Sequence, residues 1–198
     1  MRSRLMATLL GFALAGTALA PFVLGVLPAD AQDAIKAEMG LKVGARIPAF
    51  AATTDVGAAA DFNSLKGKKG LTLVFFRSAD WCPFCKLQLM DLNTIAADLS
   101  ARGYPLAALS YDPVETLAKF KAQRSLNYTL LSDPKSAAID AFGVRNETVR
   151  GQGRFDGIPN PAIFIIGADG VVKAKLYEES YQKRPPAQLV LKTIDGLK

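Results

Sequence analysis

Downstream of residue 40 the chain is divided into short apolar runs and stretches in which apolar residues recur every three or four positions. Leu71 to Phe76 (LTLVFF) is a continuous apolar run with the length of a buried central strand. PLAALS (105–110), YTLLSD (128–133), PAIFII (161–166) and VVKAKLY (171–177) read as further strands. GADG (167–170) between the last two is a hairpin turn, with Asp169 as turn chemistry. Leu89, Leu92, Ile95, Ala96 and Leu99 lie on one helical face, and Gly103 stops that helix. Pro113 opens a second helix running to about Arg124, with Asp112 as its N-cap. SAAIDAFGV (136–144) is a short helix ended by Gly143, and Pro186 to Leu197 closes the chain as a helix. The order β-α-β-α-β, then a hairpin and a terminal helix, requires an α/β domain with a central mixed sheet flanked by helices on both faces. With no internal repeat and no second composition regime, residues 42–198 are expected to form one domain.

The first residues follow a different pattern. Arg2 and Arg4 precede an uncharged apolar run from Leu5 to Leu27, and Ala29-Asp30-Ala31 supplies small residues around a cleavage position. This is the layout of a secretory signal over residues 1–31, although a run of this length also suits an uncleaved N-terminal anchor. Either way the remainder, a short arm at 32–41 and the domain, is expected to be exported, in the periplasm or an equivalent compartment. Contact with a membrane is expected only if the segment stays attached.

Composition narrows the function further. The chain has 198 residues, half of them hydrophobic, and a net charge of +6. The basic residues are scattered, and their tightest cluster, Lys66 to Lys69, reads as a solvated turn, so no nucleic-acid partner is expected. No histidine occurs, which excludes histidine general bases, Ser-His-Asp triads and histidine-ligated metals.

The only two cysteines are three residues apart, in SADWCPFCK (78–86). A closed zinc site needs four ligands, and haem attachment needs a histidine where Lys86 stands. A four-residue disulfide loop also constrains the unfolded chain very little, so the pair is a poor structural staple. A redox-active dithiol accounts for the placement. Following a buried strand, with Pro83 in the first helical turn, Cys82 is expected at a helix N-terminus as an exposed attacking thiol. Cys85 is expected one turn inside, more buried, as its resolving partner. Trp81 is expected beside the dithiol, shaping the substrate surface.

LTLVFFRSADWCPFC, SDPKSAAIDAFGV and PAIFIIGADG together resemble the thioredoxin-fold superfamily, and within it the peroxiredoxin-like redoxins of the alkyl hydroperoxide reductase and thiol-specific antioxidant type, over roughly residues 42 to 180. The resemblance implies a thioredoxin-like fold and a cis-proline facing the dithiol. Pro161 is the best match for that proline and Pro159 the runner-up, so Trp81, Pro83, Asn160 and Pro161 become expected substrate-binding residues. Two departures stand out. The peroxiredoxin Pro-x-x-x-Thr-x-x-Cys pattern falls on Ser78, Cys82 and Cys85, keeping only the last cysteine, and the arginine that accompanies it in that family is replaced by Pro161. Arg77 and Arg145 are the candidates to replace that arginine in space. Phe76 occupies the place of the buried carboxylate of thioredoxins.

These departures favour an exported thiol-disulfide oxidoreductase that cycles between the Cys82/Cys85 dithiol and disulfide. The alternatives are a thiol peroxidase with Cys85 as the peroxidatic residue, and a dithiol copper-binding module. Expected partners are a protein or small-molecule disulfide, or a peroxide, and a recharging thiol or membrane electron donor; no cofactor and no resident metal are expected.

Overall fold

A computed structural model of the chain describes residues 39–197. The expected signal or anchor at 1–31 and most of the 32–41 arm lie outside the described residues.

Seven strands form one mixed sheet: β1 (Ala52–Thr54), β2 (Ala59–Ala60), β3 (Gly70–Phe75), β4 (Leu106–Ser110), β5 (Thr129–Ser132), β6 (Ala162–Gly167) and β7 (Val172–Tyr177). Their spatial order is β2-β1-β5-β4-β3-β6-β7. The central strands β3, β4 and β5 run parallel, whereas β6 is antiparallel to both β3 and β7. The helices are α1 (Phe62–Leu65), α2 (Pro83–Asn93), α3 (Ala96–Ala101), α4 (Val114–Arg124), α5 (Ala137–Ala141) and α6 (Ala187–Asp195).

The continuous apolar runs are explained by burial on both faces of the sheet. Along β3, Val74 and the following Phe76 face a core shared with Leu89, Leu92, Leu117 and Val190, whereas Leu71, Leu73 and Phe75 face a second core with Ile139 and Phe142. Strand β6 divides its side chains in the same way, with Ile163 and Ile165 in the first core and Phe164 and Ile166 in the second. With no solvated face, neither strand shows apolar-polar alternation.

Two expectations are corrected at the element level, and two strands are added. The helix expected to continue through Leu99 is two helices. Thr94 Oγ1 donates to the Asp91 carbonyl, while Asn93 reaches across to the Ser125 carbonyl and the Asn127 N–H, so polar side chains close α2 where apolar spacing continues. Asp112 does not cap α4: Pro113 holds the N-cap position, and no side chain caps that end. The small strands β1 and β2, rich in alanine and threonine, carry too little apolar pattern to be read in advance.

Candidate active site

Three segments meet at one end of the sheet. The loop after β3 carries Arg77 to Cys82, the residues before β6 end in Pro161, and a strap from Glu178 to Pro186 follows β7. Register brings them together: Phe75 pairs with Ala162, and Ala162 pairs with Tyr177. Parallel β4 ends beside them at Ser110, followed by Tyr111 and Asp112. The carboxyl ends of parallel strands are a common place for a site in an open α/β sheet.

Cys82 is the N-cap of α2 and Pro83 its first residue, as the spacing predicts. Cys82 and Cys85 are joined in a disulfide, with Cα atoms 5.3 Å apart. The Cys85 N–H donates to Cys82 Sγ at 3.3 Å, so one of the unpaired amides of the helix N-terminus points at sulfur. The expected difference in exposure is not found: Cys82 is 2% exposed and Cys85 fully buried. With its sulfur turned into the first helical turn, Cys82 belongs to the core, and Trp81 and Phe84 pack against the same cluster.

The loop is held by Asp112, which is buried. Ser78 Oγ donates to Asp112 Oδ1 at 2.8 Å, while the Ala79 N–H, at 2.6 Å, and Ser110 Oγ, at 3.0 Å, donate to Oδ2. Ser78 Oγ in turn accepts from the Asp80 and Trp81 N–H groups. Burial pushes the Asp112 carboxyl above the usual carboxylate range, although these donors pull the other way. Ser78, at the position of the family's proline, thus becomes part of the anchor of the cysteine loop.

Trp81 lies beside the dithiol as expected. Its Nε1 donates to Tyr111 Oη at 3.0 Å, its ring meets Phe155 edge-on at 5.1 Å, and Tyr111 Oη donates to the Arg154 carbonyl at 2.7 Å. These contacts bring the GQGRFDG loop (151–157) to the rim of the site. Asn160 is turned elsewhere, its N–H donating to the Val144 carbonyl and its Nδ2 to the Arg145 carbonyl. Pro161 reaches the right end of the sheet, but the cis bond expected before it is absent: every peptide bond among the described residues is trans. The bridge between Pro159 and Arg145 and the bonds of Asn160 lead this segment directly into β6.

The arginines differ from expectation. Arg145 is paired with Asp140 and Asp156. Arg77 is half-buried, with its guanidinium carbon 4.5 Å from the centre of the Tyr181 ring and 5.5 Å from that of Trp81. The cation that reaches a cysteine is Arg184, whose Nη2 donates to Cys85 Sγ at 3.7 Å. It comes from the strap, in the sequence KRPP, and nothing in its spacing links it to the cysteines.

The sequence profile of the AhpC/TSA family matches residues 43–175. A putative peroxiredoxin of Coxiella burnetii is 30% identical over 136 residues, covering 69% of this chain and 88% of that protein. Peroxiredoxin Bcp of Escherichia coli K12 is 30% identical over 133 residues, covering 67% and 83%. Among solved structures, a peroxiredoxin-like protein from Aquifex aeolicus has a TM-score of 0.68 at 23% identity, covering 80% of this chain and 89% of that one. Peroxidoxin BcpB from Mycobacterium tuberculosis has a TM-score of 0.67 at 22% identity, covering 78% and 95%. The mixed sheet, the thiol loop after its central strand and the extent of these matches agree: the chain is a thioredoxin-fold oxidoreductase and belongs to the AhpC/TSA family.

Proposed function

We propose that this protein is an exported thiol peroxidase that reduces hydroperoxides with Cys85 and resolves the product with Cys82. The observation that carries the reading is the position of Cys85: it stands where the family pattern keeps its cysteine, one helical turn from a second thiol already bonded to it. The relatives' names, putative peroxiredoxin and peroxiredoxin Bcp, support the same class. The Cys85 thiolate attacks the terminal peroxide oxygen; the O–O bond breaks, Cys85 becomes a sulfenic acid, and the alkoxide leaves with a proton as alcohol or water. The Cys82 thiol then attacks the Cys85 sulfur, forming the disulfide and releasing water. A dithiol partner supplies two electrons and two protons to restore both thiols. With the cysteines three residues apart, the resolving step takes place within one helical turn. Export rests on the residue pattern of 1–31.

Disulfide exchange is the second reading, favoured by one observation. Cys82 sits at the helix N-terminus, where the Cys85 N–H and the helix dipole favour a thiolate on Cys82 as the attacking group. Stopped-flow mixing of the reduced chain with hydrogen peroxide or with a disulfide peptide, followed by Trp81 fluorescence, separates the two. The peroxidase reading predicts rapid oxidation by peroxide and slow oxidation by the peptide; the reverse order would replace it with the exchange reading. Copper binding has less support, because the chain has no histidine to join the two thiols as a further ligand.

A further inference from the structure

Arg184 has no carboxylate partner among the described ion pairs, although it is largely withdrawn from water. Its Nε is buried without a hydrogen-bond partner; Nη1 donates to the Tyr181 and Lys183 carbonyls, and Nη2 to Cys85 Sγ. Arg77, the nearby second cation, also has a buried Nε without a partner. Desolvation, and secondarily the charge of Arg77, lower the pKa of Arg184 to about 10, which leaves it a cation at neutral pH. A desolvated Arg184 against a neutral disulfide, with the second cation Arg77 nearby over the Tyr181 and Trp81 rings, forms an unbalanced site, because a buried charge is costly unless an anion accompanies it. The side-chain acceptor that Arg184 reaches is the Cys85 sulfur, which gains a negative charge only when the disulfide is reduced.

We infer that Arg184, carried on the strap, is a further catalytic residue whose guanidinium holds reduced Cys85 as a thiolate and so shifts the dithiol toward its reduced state. Arg184 lies beyond residues 43–175, so the cation is supplied by chain outside the family match, while the family's own arginine position is Pro161. When a dithiol reductant such as dithiothreitol opens the Cys82–Cys85 bond, two electrons enter. Cys82 takes one proton, Cys85 remains the thiolate beside Arg184, the second proton passes to buffer, and the reductant is left as a cyclic disulfide. A group that stabilises only the reduced form makes the pair more oxidising.

The inference deepens the peroxidase reading by naming what activates Cys85, but its test needs no peroxide. The thiolate absorbance of Cys85 is titrated in the full chain carrying Cys82→Ser, with Arg184 intact, as Arg184→Met or as Arg184→Lys. An opposite charge at this range shifts a titration by about one pH unit or more. The Arg184→Met midpoint is therefore expected to rise by about one unit, while Arg184→Lys, which keeps the charge, stays closer to the parent. In the two-cysteine chain, Arg184→Met is expected to move the equilibrium with glutathione about tenfold toward the disulfide. An unchanged midpoint in Arg184→Met, or equal shifts in the Met and Lys variants, would overturn the assignment. Folding of each variant is checked by circular dichroism, and if the Met variant does not fold, Arg184→Gln takes its place under the same criteria. A parent chain that consumes no peroxide, while its Arg184 variants still show the expected midpoint shifts, would count against the peroxidase reading alone.

Discussion

The cysteine loop and the strap both border the dithiol, yet they are held in different ways. Ser78 to Cys85 is tied from beneath by a buried carboxylate that accepts three hydrogen bonds, and is closed by the disulfide at the head of α2. From Glu178 to Lys183 the strap is exposed, and only Arg184 and Pro185 turn inward. Tyr181 lies 6.1 Å from the Phe84 ring and covers Arg77, and beyond the strap the Ala187 N–H donates to Asp91 Oδ2. The loop that carries the sulfurs is thus held by hydrogen bonds to Asp112 that do not depend on their oxidation state, whereas the nearby charge comes on a segment with few buried contacts. Elements of that kind open at the lowest cost.

Substitutions should separate the two regions. The largest effect is expected at the reacting sulfur: Cys85→Ser should lower dithiothreitol-driven peroxide consumption by about a thousandfold or more, with the urea midpoint of the reduced protein little changed. Asp112→Ala comes next, because it leaves the Ala79 N–H and two hydroxyls without their acceptor. A loss of about 3 kcal/mol is expected in urea unfolding.

The pH dependence of this anchor has a definite sign. Burial raises the Asp112 carboxyl, so the folded chain holds a proton that the unfolded chain releases at its ordinary value. The contribution of Asp112 is therefore complete below about pH 3.9 and declines as pH rises through the raised folded value. In urea titrations the deficit of Asp112→Asn should narrow over that interval; a widening deficit would show that the carboxylate form is the one that holds the loop.

Smaller effects are expected at the rim. Trp81→Phe removes the hydrogen bond to Tyr111 and should cost about 1 kcal/mol in urea unfolding. Tyr181→Ala sharpens the contrast: it should change stability by less than about 1 kcal/mol while raising the rate at which a neutral thiol reagent reaches Cys85 in the reduced chain. A large loss of stability in that variant would place the strap with the loop as part of the folded framework.

Much of the fold was legible because β3, β4 and β6 are buried on both faces and therefore appear as continuous apolar runs. Cys82 and Cys85 were legible from their spacing and from Pro83, which set the helix start between them. An aspartate before a proline has the local signature of an N-cap, but two of the three partners of the Asp112 carboxylate, Ser78 and Ala79, are more than thirty residues away and leave no local trace. Arg184 left no local signal at all, being 99 residues from Cys85 and brought to it only by the pairing of β6 with β7. Asn160 and Pro161 were assigned through the resemblance, and tertiary contacts with Val144 and Arg145 decide where that segment points.

The most direct test of the account is to treat the reduced Cys82→Ser chain with one equivalent of hydrogen peroxide and a sulfenic-acid trap, then locate the label by mass spectrometry. The account predicts one sulfenic acid per chain, on Cys85, formed far faster than on free cysteine. A Cys85 that reacts no faster than free cysteine, in a chain whose Cys85→Ser counterpart captures disulfide peptides on Cys82, would contradict it.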